Sequence, residues 1–295
     1  MSHKFGNIDS WTKDKLIRIE KYLNAYVRVL KNTNFTREYI DAFAGSGYVT
    51  RKVENASRSL FEEDETYSLR DIIDGSARLA LQTNPPFDRY TFIEKHDERC
   101  SELLKLKEEF PSRATAIEII CGDANENVMR LCQQDWIRQN RRGVMFLDPY
   151  GAQVHWETIA TIAATKAIDL WILFPIGTVN RLLNRDGRIK EGRKRRLDML
   201  FGEEAWIDII YDRVERSTLY SDEPMHYFVK TKDPFGAIQD YFIKRLQTVF
   251  TEVATNPLSL KNSSNTPIFM LCFAAGNPKG ASTAVKIAKD ILGKA

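Results

Sequence analysis

Four carboxylates stand at the ends of four short apolar runs. Asp41 closes Tyr39-Ile40 and is followed by Gly45-Ser46-Gly47; Glu94 closes Tyr90-Thr91-Phe92-Ile93. Asp123 follows Ile119-Ile120-Cys121-Gly122, and Asp148 follows Val144-Met145-Phe146-Leu147 and opens Asp148-Pro149-Tyr150. Runs of this length and apolarity, separated by helical patterns, read as parallel strands covered on both faces. In such a sheet ligands bind outside the carboxyl ends of the strands, where the strand order reverses. The four acids therefore converge on the expected binding edge. Taken singly, each also fits a helix N-cap or a solvated loop position.

Gly45 and Gly47 let a ligand approach the backbone, having no β-carbon to obstruct it. A dinucleotide fingerprint would need a third glycine where Thr50 stands. The turn also does not run straight into a helix, so a pyrophosphate would lose its helix N-terminus. Asp41 would repel one. The set suits a ligand with an ammonium group and no phosphate, and S-adenosylmethionine has that group together with a cationic sulfonium. In that reading Asp41, Gly45 and Gly47 receive the amino-acid end. Glu94 is a bidentate acceptor for the ribose hydroxyls, and Asp123 accepts from the adenine amine. Asp148 and the Pro149 carbonyl are placed to accept hydrogen bonds from a planar exocyclic NH2, while Tyr150 stacks on the base that carries it. This is catalysis by orientation and electrostatics, with no strong base needed beforehand.

The elements that must position these residues follow from periodicity. Leu16, Ile19, Leu23, Val27 and Leu30 recur at helical spacing and predict an amphipathic helix over 11–31. Strands are expected at 39–43, 90–94, 116–121, 144–147, 170–174 and 268–273. Helices are expected near 97–110, around Val128–Leu131, at 156–165 and at 280–292. The 295 residues, 43% hydrophobic and 28% charged, suit one globular domain with insertions rather than a disordered chain. The fold expected is an α/β three-layer sandwich with a mostly parallel sheet, over residues 1–295.

Two stretches interrupt the rhythm. Residues 51–74, with 7 acidic and 4 basic side chains, read as an acidic surface insertion. Residues 177–235 read as a basic helical insertion. Within it Arg181, Arg185, Arg188, Lys190, Arg193, Lys194, Arg195 and Arg196 stand against only Asp186 and Glu191. That is +6 over 181–196, in a chain whose formal charge is +3, so the positive charge is local. Such a cluster suits phosphates of DNA or RNA, or else is a solvated helix face.

Other chemistries lack support. The histidines at 3, 96, 155 and 226 show no metal-ligand spacing, and neither G-x-S-x-G nor a P-loop occurs. Cys100, Cys121, Cys132 and Cys272 form no C-x-x-C pair and read as reduced thiols of a cytoplasmic protein. No apolar run reaches membrane-spanning length, and no secretory leader is expected at the start. Trp156, Trp171 and Trp206 read as core residues.

Asp41-Ala42-Phe43-Ala44-Gly45-Ser46-Gly47 resembles motif I of S-adenosylmethionine-dependent methyltransferases in its F-x-G-x-G form, and Asp148-Pro149-Tyr150 resembles their D-P-P-Y motif with one proline missing. The D-P-Y-G form is similar to that of tRNA guanine-N2 dimethyltransferases. Over most of residues 10–290 the chain looks like the three-Cys-motif partner family (TcmP). The matching stretches include Asp74–Leu81, Gly122-Asp123-Ala124-Asn125 and Asn277-Pro278-Lys279-Gly280. The resemblance implies the class I, Rossmann-like methyltransferase fold, with S-adenosylmethionine held also by Phe43 and Ala124. It further implies a partner protein that bears the three cysteines. The expected activity is methylation of an exocyclic amine of a nucleic-acid base. The alternatives are a non-catalytic cofactor-binding subunit of that partner and a small-molecule methyltransferase.

Overall fold

A computed structural model describes residues 10–50, 72–218 and 221–294. In chain order, α1 (Ser10–Val29) leads to β1 (Thr36–Asp41), the hairpin β2 (Tyr48–Thr50) and β3 (Ile72–Asp74), and α2 (Ser76–Leu81). Then come β4 (Arg89–Glu94), α3 (Asp97–Glu109), β5 (Ile117–Cys121), α4 (Ala124–Cys132), β6 (Arg141–Leu147), α5 (Trp156–Ala164) and β7 (Ile168–Phe174). Helices α6 (Ile176–Leu182), α7 (Glu191–Phe201) and α8 (Trp206–Ile210) precede the hairpin β8 (Tyr211–Thr218) and β9 (Ser221–Lys230). The chain closes with α9 (Pro234–Val249), β10 (Glu252–Val253), β11 (Leu258–Lys261), β12 (Pro267–Ala275) and α10 (Ala281–Gly293).

The main sheet has the order β10-β12-β7-β6-β1-β4-β5, with β11 also paired to β12. β1 pairs in parallel with β4 on one side and β6 on the other, so the strand order reverses at β1. β12 runs antiparallel to β7. Alternate residues feed two cores, as the pleat requires. Tyr39, Phe92, Val144, Phe146, Trp171 and Phe273 face α1, α2, α3 and α10. Ile40, Ile93, Met145, Leu147, Ile172 and Cys272 face α4 to α9. The chain therefore forms the α/β, Rossmann-like three-layer sandwich that the sequence predicts. Trp156, Trp171 and Trp206 are buried, the last two completely.

Three expectations are corrected. The stretch 177–235 is not wholly helical, because β8 and β9 form an antiparallel hairpin outside the main sheet. Of the acidic insertion, residues 51–71 lie outside the described residues, while 72–74 belong to a strand paired with 48–50. The cysteines are not four separate thiols. Cys100 on α3 is disulfide-bonded to Cys121 at the end of β5, with Cα atoms 6.0 Å apart. Packing of α3 on its own sheet edge joins residues that sequence spacing keeps apart. Cys132 and Cys272 are free and buried.

Candidate active site at the carboxyl edge of the sheet

The carboxyl ends of β1, β4 and β5 surround a cleft of about 250 Å³. Its walls include Phe43, Glu94, Asp123, Ala124, Asn125 and Tyr150. It thus lies where the strand order reverses, as expected for an open α/β sheet.

Glu94 is 5% exposed and organises the cleft floor. Its Oε2 accepts from Gly45 N at 3.0 Å, and its Oε1 accepts from Lys95 N at 2.9 Å and His96 N at 3.0 Å. A carboxylate has about four lone-pair sites, so one remains, on Oε2. Glu94 can accept one further hydroxyl, which revises the bidentate role expected for it. Asp123 caps α4, its Oδ1 accepting from Asn125 N at 2.9 Å and Glu126 N at 3.3 Å. Its Oδ2 stands 3.8 Å from Lys95 Nζ and carries no hydrogen bond among the described residues, so the N-cap and ligand roles are compatible.

The glycine turn has the left-handed backbone that glycine permits, with φ +62° at Gly45 and +81° at Gly47. Among the described residues a β-carbon on Gly45 would meet no heavy atom within 4 Å, whereas one on Gly47 would press on Leu106 of α3. Neither glycine lines the cleft. Gly45 ties the turn to Glu94, and Gly47 seats it on α3.

Asp41 does not reach the cleft. It is the last residue of β1, two after Tyr39, so the pleat points it to the α1–α2 face. There it is fully buried, accepting from Ser76 Oγ at 2.5 Å and Tyr39 Oη at 3.3 Å on Oδ2, and from Phe43 N at 3.2 Å on Oδ1. Burial pushes its carboxyl up to about 6, against the Ser76 hydrogen bond, and the nearby Asp148 charge adds to the rise. The expected role as an ammonium acceptor is corrected to that of a buried strut beneath the turn.

Asp148 and Pro149 also lie outside the cleft lining, with Pro149 buried. Asp148 Oδ2 is ion-paired to Lys15 Nζ of α1, whose ammonium stands 5.6 Å from the Trp11 ring and 5.9 Å from the Phe146 ring. Asp148 Oδ1 carries no hydrogen bond among the described residues. Tyr150 is 73% exposed at the cleft mouth, where Arg99 Nη1 donates to its Oη at 3.0 Å. The described site therefore has two parts: the cleft, and the Lys15–Asp148 pair beside it.

Lys15 is a site residue that sequence periodicity did not single out. The available signal was its position four residues from Trp11 and from Ile19, on the buried face of α1. Asn125 is another. Its Oδ1 accepts from His155 N at 3.0 Å and Thr158 Oγ1 at 2.8 Å, and its Nδ2 donates to Gln153 O at 2.9 Å, fixing the loop after Asp148.

The basic residues follow β7, on the same edge of the sheet. Arg181, Arg185, Arg188, Lys190, Arg193, Arg195 and Arg196 are exposed. Lys194 is instead paired with Asp198 at 3.2 Å and Glu204 at 2.7 Å.

No protein-family model and no curated protein matches the chain. Solved structures do. A spermidine synthase in complex with a transition-state analogue is 10% identical at TM-score 0.42, over 97% of this chain and 72% of that one. Protein LPL1258 from Legionella pneumophila is 15% identical at 0.39, over 88% and 96%. An S-adenosylmethionine-dependent methyltransferase from Clostridium acetobutylicum is 13% identical at 0.36, over 90% and 96%. At such values the likeness is one of general architecture, and the functional reading rests on the site. No helix among the described residues is long and apolar enough to cross a membrane.

Proposed function

We propose that the chain is an S-adenosylmethionine-dependent N-methyltransferase acting on an exocyclic amine of a nucleic-acid base. One observation carries the reading. Glu94, Asp123 and Phe43 meet around a cleft at the strand-order reversal, the Gly45 turn ties in behind Glu94, and Tyr150 stands at the mouth. The cleft fits the donor's nucleoside end: Glu94 retains one acceptor site and Asp123 its whole Oδ2, and Phe43 and Ala124 offer apolar walls. When bound, the donor supplies an electrophilic methyl group on a sulfonium. Asp148 Oδ1 and the Pro149 carbonyl accept from the target NH2 and fix its lone pair, and the Tyr150 ring stacks on the base. Lys15 acts on Asp148 as a positioning residue, holding Oδ2 so that Oδ1 is presented. The basic residues of 181–196 take the nucleic-acid backbone. Membership of the three-Cys-motif partner family, with its cysteine-bearing partner, belongs to the same proposal, as does a cytoplasmic location.

The test is methyl transfer from labelled donor to DNA, rRNA and tRNA, followed by nucleoside mass spectrometry. An N-methylated base is expected, and none should form with Asp148→Ala. A second reading, a non-catalytic cofactor-binding subunit, is favoured by the Lys15–Asp148 pair, which occupies the motif's carboxylate with a group of the chain itself. Donor binding without transfer to any of the three pools, even in the partner's presence, would select it.

A further inference from the structure

At the opposite edge of the sheet, α1 and α10 enclose a second cavity, of about 320 Å³. It lies far along α1 from Lys15, and nothing in the methyl-transfer reading uses it. Tyr26, Val29, Leu30, Ala284 and Ile287 give it mostly apolar walls. Its polar side is formed by Arg142 and the first turn of α10.

Arg142 is 9% exposed, and no carboxylate among the described residues lies within ion-pair distance of it. Its Nη1 donates to the Arg141 carbonyl at 2.7 Å, and its buried Nε has no hydrogen-bond partner among the described residues. The Phe35 ring covers one face of the guanidinium at 4.3 Å. Burial opposes its charge, and the attraction of Asp169, beyond ion-pair distance, offsets that only in part, so a second anion in direct contact would stabilise it. Asp169 lines the same cavity; Tyr22 Oη donates to its Oδ2 at 2.9 Å and Gly276 N to its Oδ1 at 3.2 Å, and it acts on Arg142 through space, with no hydrogen bond between them among the described residues.

The wall beside Arg142 points the same way. α10 is a 13-residue helix whose N-cap, Gly280, supplies no side-chain acceptor. The N–H groups of Ala281, Ser282 and Thr283 therefore have no protein acceptor among the described residues, and they present the positive end of the helix dipole. The Asn277-Pro278-Lys279-Gly280 turn leads into this helix, with Lys279 at the cavity rim.

We infer that this cavity is a binding site for a small organic anion, with a carboxylate or phosphate head on Arg142 and the α10 N-terminus and an apolar body between α1 and α10. The planar guanidinium matches either head group in a forked geometry.

Calorimetric titration of the full chain with benzoate, phenyl phosphate and neutral benzamide tests this. At least one of the anions should bind saturably with one-to-one stoichiometry, at least about tenfold more tightly than benzamide. Preference for benzoate assigns a carboxylate ligand, and preference for phenyl phosphate a phosphate monoester. Arg142→Gln should weaken the anion by about tenfold or more. Ala284→Phe, a half-buried position where added bulk enters the cavity, should block binding while circular dichroism stays unchanged. Donor binding at the other edge should persist in both variants. Equal binding of benzamide, no saturable binding below about 10 mM, or undiminished binding in Ala284→Phe would overturn the inference.

Discussion

The Lys15–Asp148 pair is asymmetric, and that asymmetry is measurable. The side chain of Lys15 is 7% exposed and that of Asp148 25%. Removing Asp148 strands an ammonium among the rings of Trp11 and Phe146, where water reaches it poorly. Breaking a buried ion pair from one side costs about 3–5 kcal/mol, so Asp148→Ala should fall in that range. Removing Lys15 leaves a carboxylate that water can reach. Lys15→Met, similar in length, should cost about 1–2 kcal/mol, nearer a lost charge-assisted hydrogen bond. The double variant should be no less stable than Asp148→Ala alone, which corresponds to a coupling of at least about 1–2 kcal/mol. Urea denaturation gives each value from the midpoint and slope. In transfer assays Asp148→Ala should abolish turnover with donor affinity nearly intact, while Lys15→Met should lower turnover about ten- to hundredfold through loss of positioning. Equal single-variant costs, or costs that add within about 0.5 kcal/mol, would show that the two side chains are not an asymmetric buried pair.

Three further outcomes are expected. Burial pushes Asp169 from 3.8 up to about 6, so the folded chain holds a proton that the unfolded chain has released. This term weakens the fold as pH rises from about 4 to about 6 and is constant above, a change of up to about 3 kcal/mol. Asp41 behaves likewise, so Asp169→Asn should roughly halve this pH slope in urea titrations, and an unchanged slope would be inconsistent with it. Gly47→Ala, at φ +81° and with its β-carbon 3.3 Å from Leu106 Cδ1, should cost more stability than Gly45→Ala, which meets open space. Each carries the left-handed penalty of about 1–2 kcal/mol, and thermal melts showing the reverse order would count against the packing. Replacing Arg193, Arg195 and Arg196 with Gln should lower nucleic-acid affinity and reduce the slope of log K against log salt by up to about 3. An unchanged slope would remove this segment from the interface.

Strand ends were the most legible part of the sequence. Apolar runs bounded by Glu94, Asp123 and Asp148 gave the parallel strands and their carboxyl edge, because buried strands on both faces leave little else for such runs to be. Glu94 and Asp123 then fell into the cleft by position alone. Asp41 did not, because pleat parity decides which face a strand-terminal side chain takes, and two neighbouring carboxylates can be sent to opposite sides. The hairpin of β8 and β9 escaped because its first strand, Tyr211-Asp212-Arg213-Val214-Glu215-Arg216, is mostly charged, and the alternation of Met225, Tyr227 and Val229 in the second is short and follows Pro224. Lys15 and the Cys100–Cys121 bond escaped for another reason. Both depend on contacts between elements distant in sequence, and a lysine on an apolar helix face reads as a surface residue until the acid it meets is known.

Calorimetry with S-adenosylmethionine and with NAD on the purified chain shows which ligand the cleft takes. The cleft at the ends of β1, β4 and β5 should bind the first with one-to-one stoichiometry, weakened about tenfold by Glu94→Gln, and should show no saturable heat with the second. Comparable binding of NAD, or binding of the sulfonium donor that Glu94→Gln leaves untouched, would contradict the assignment.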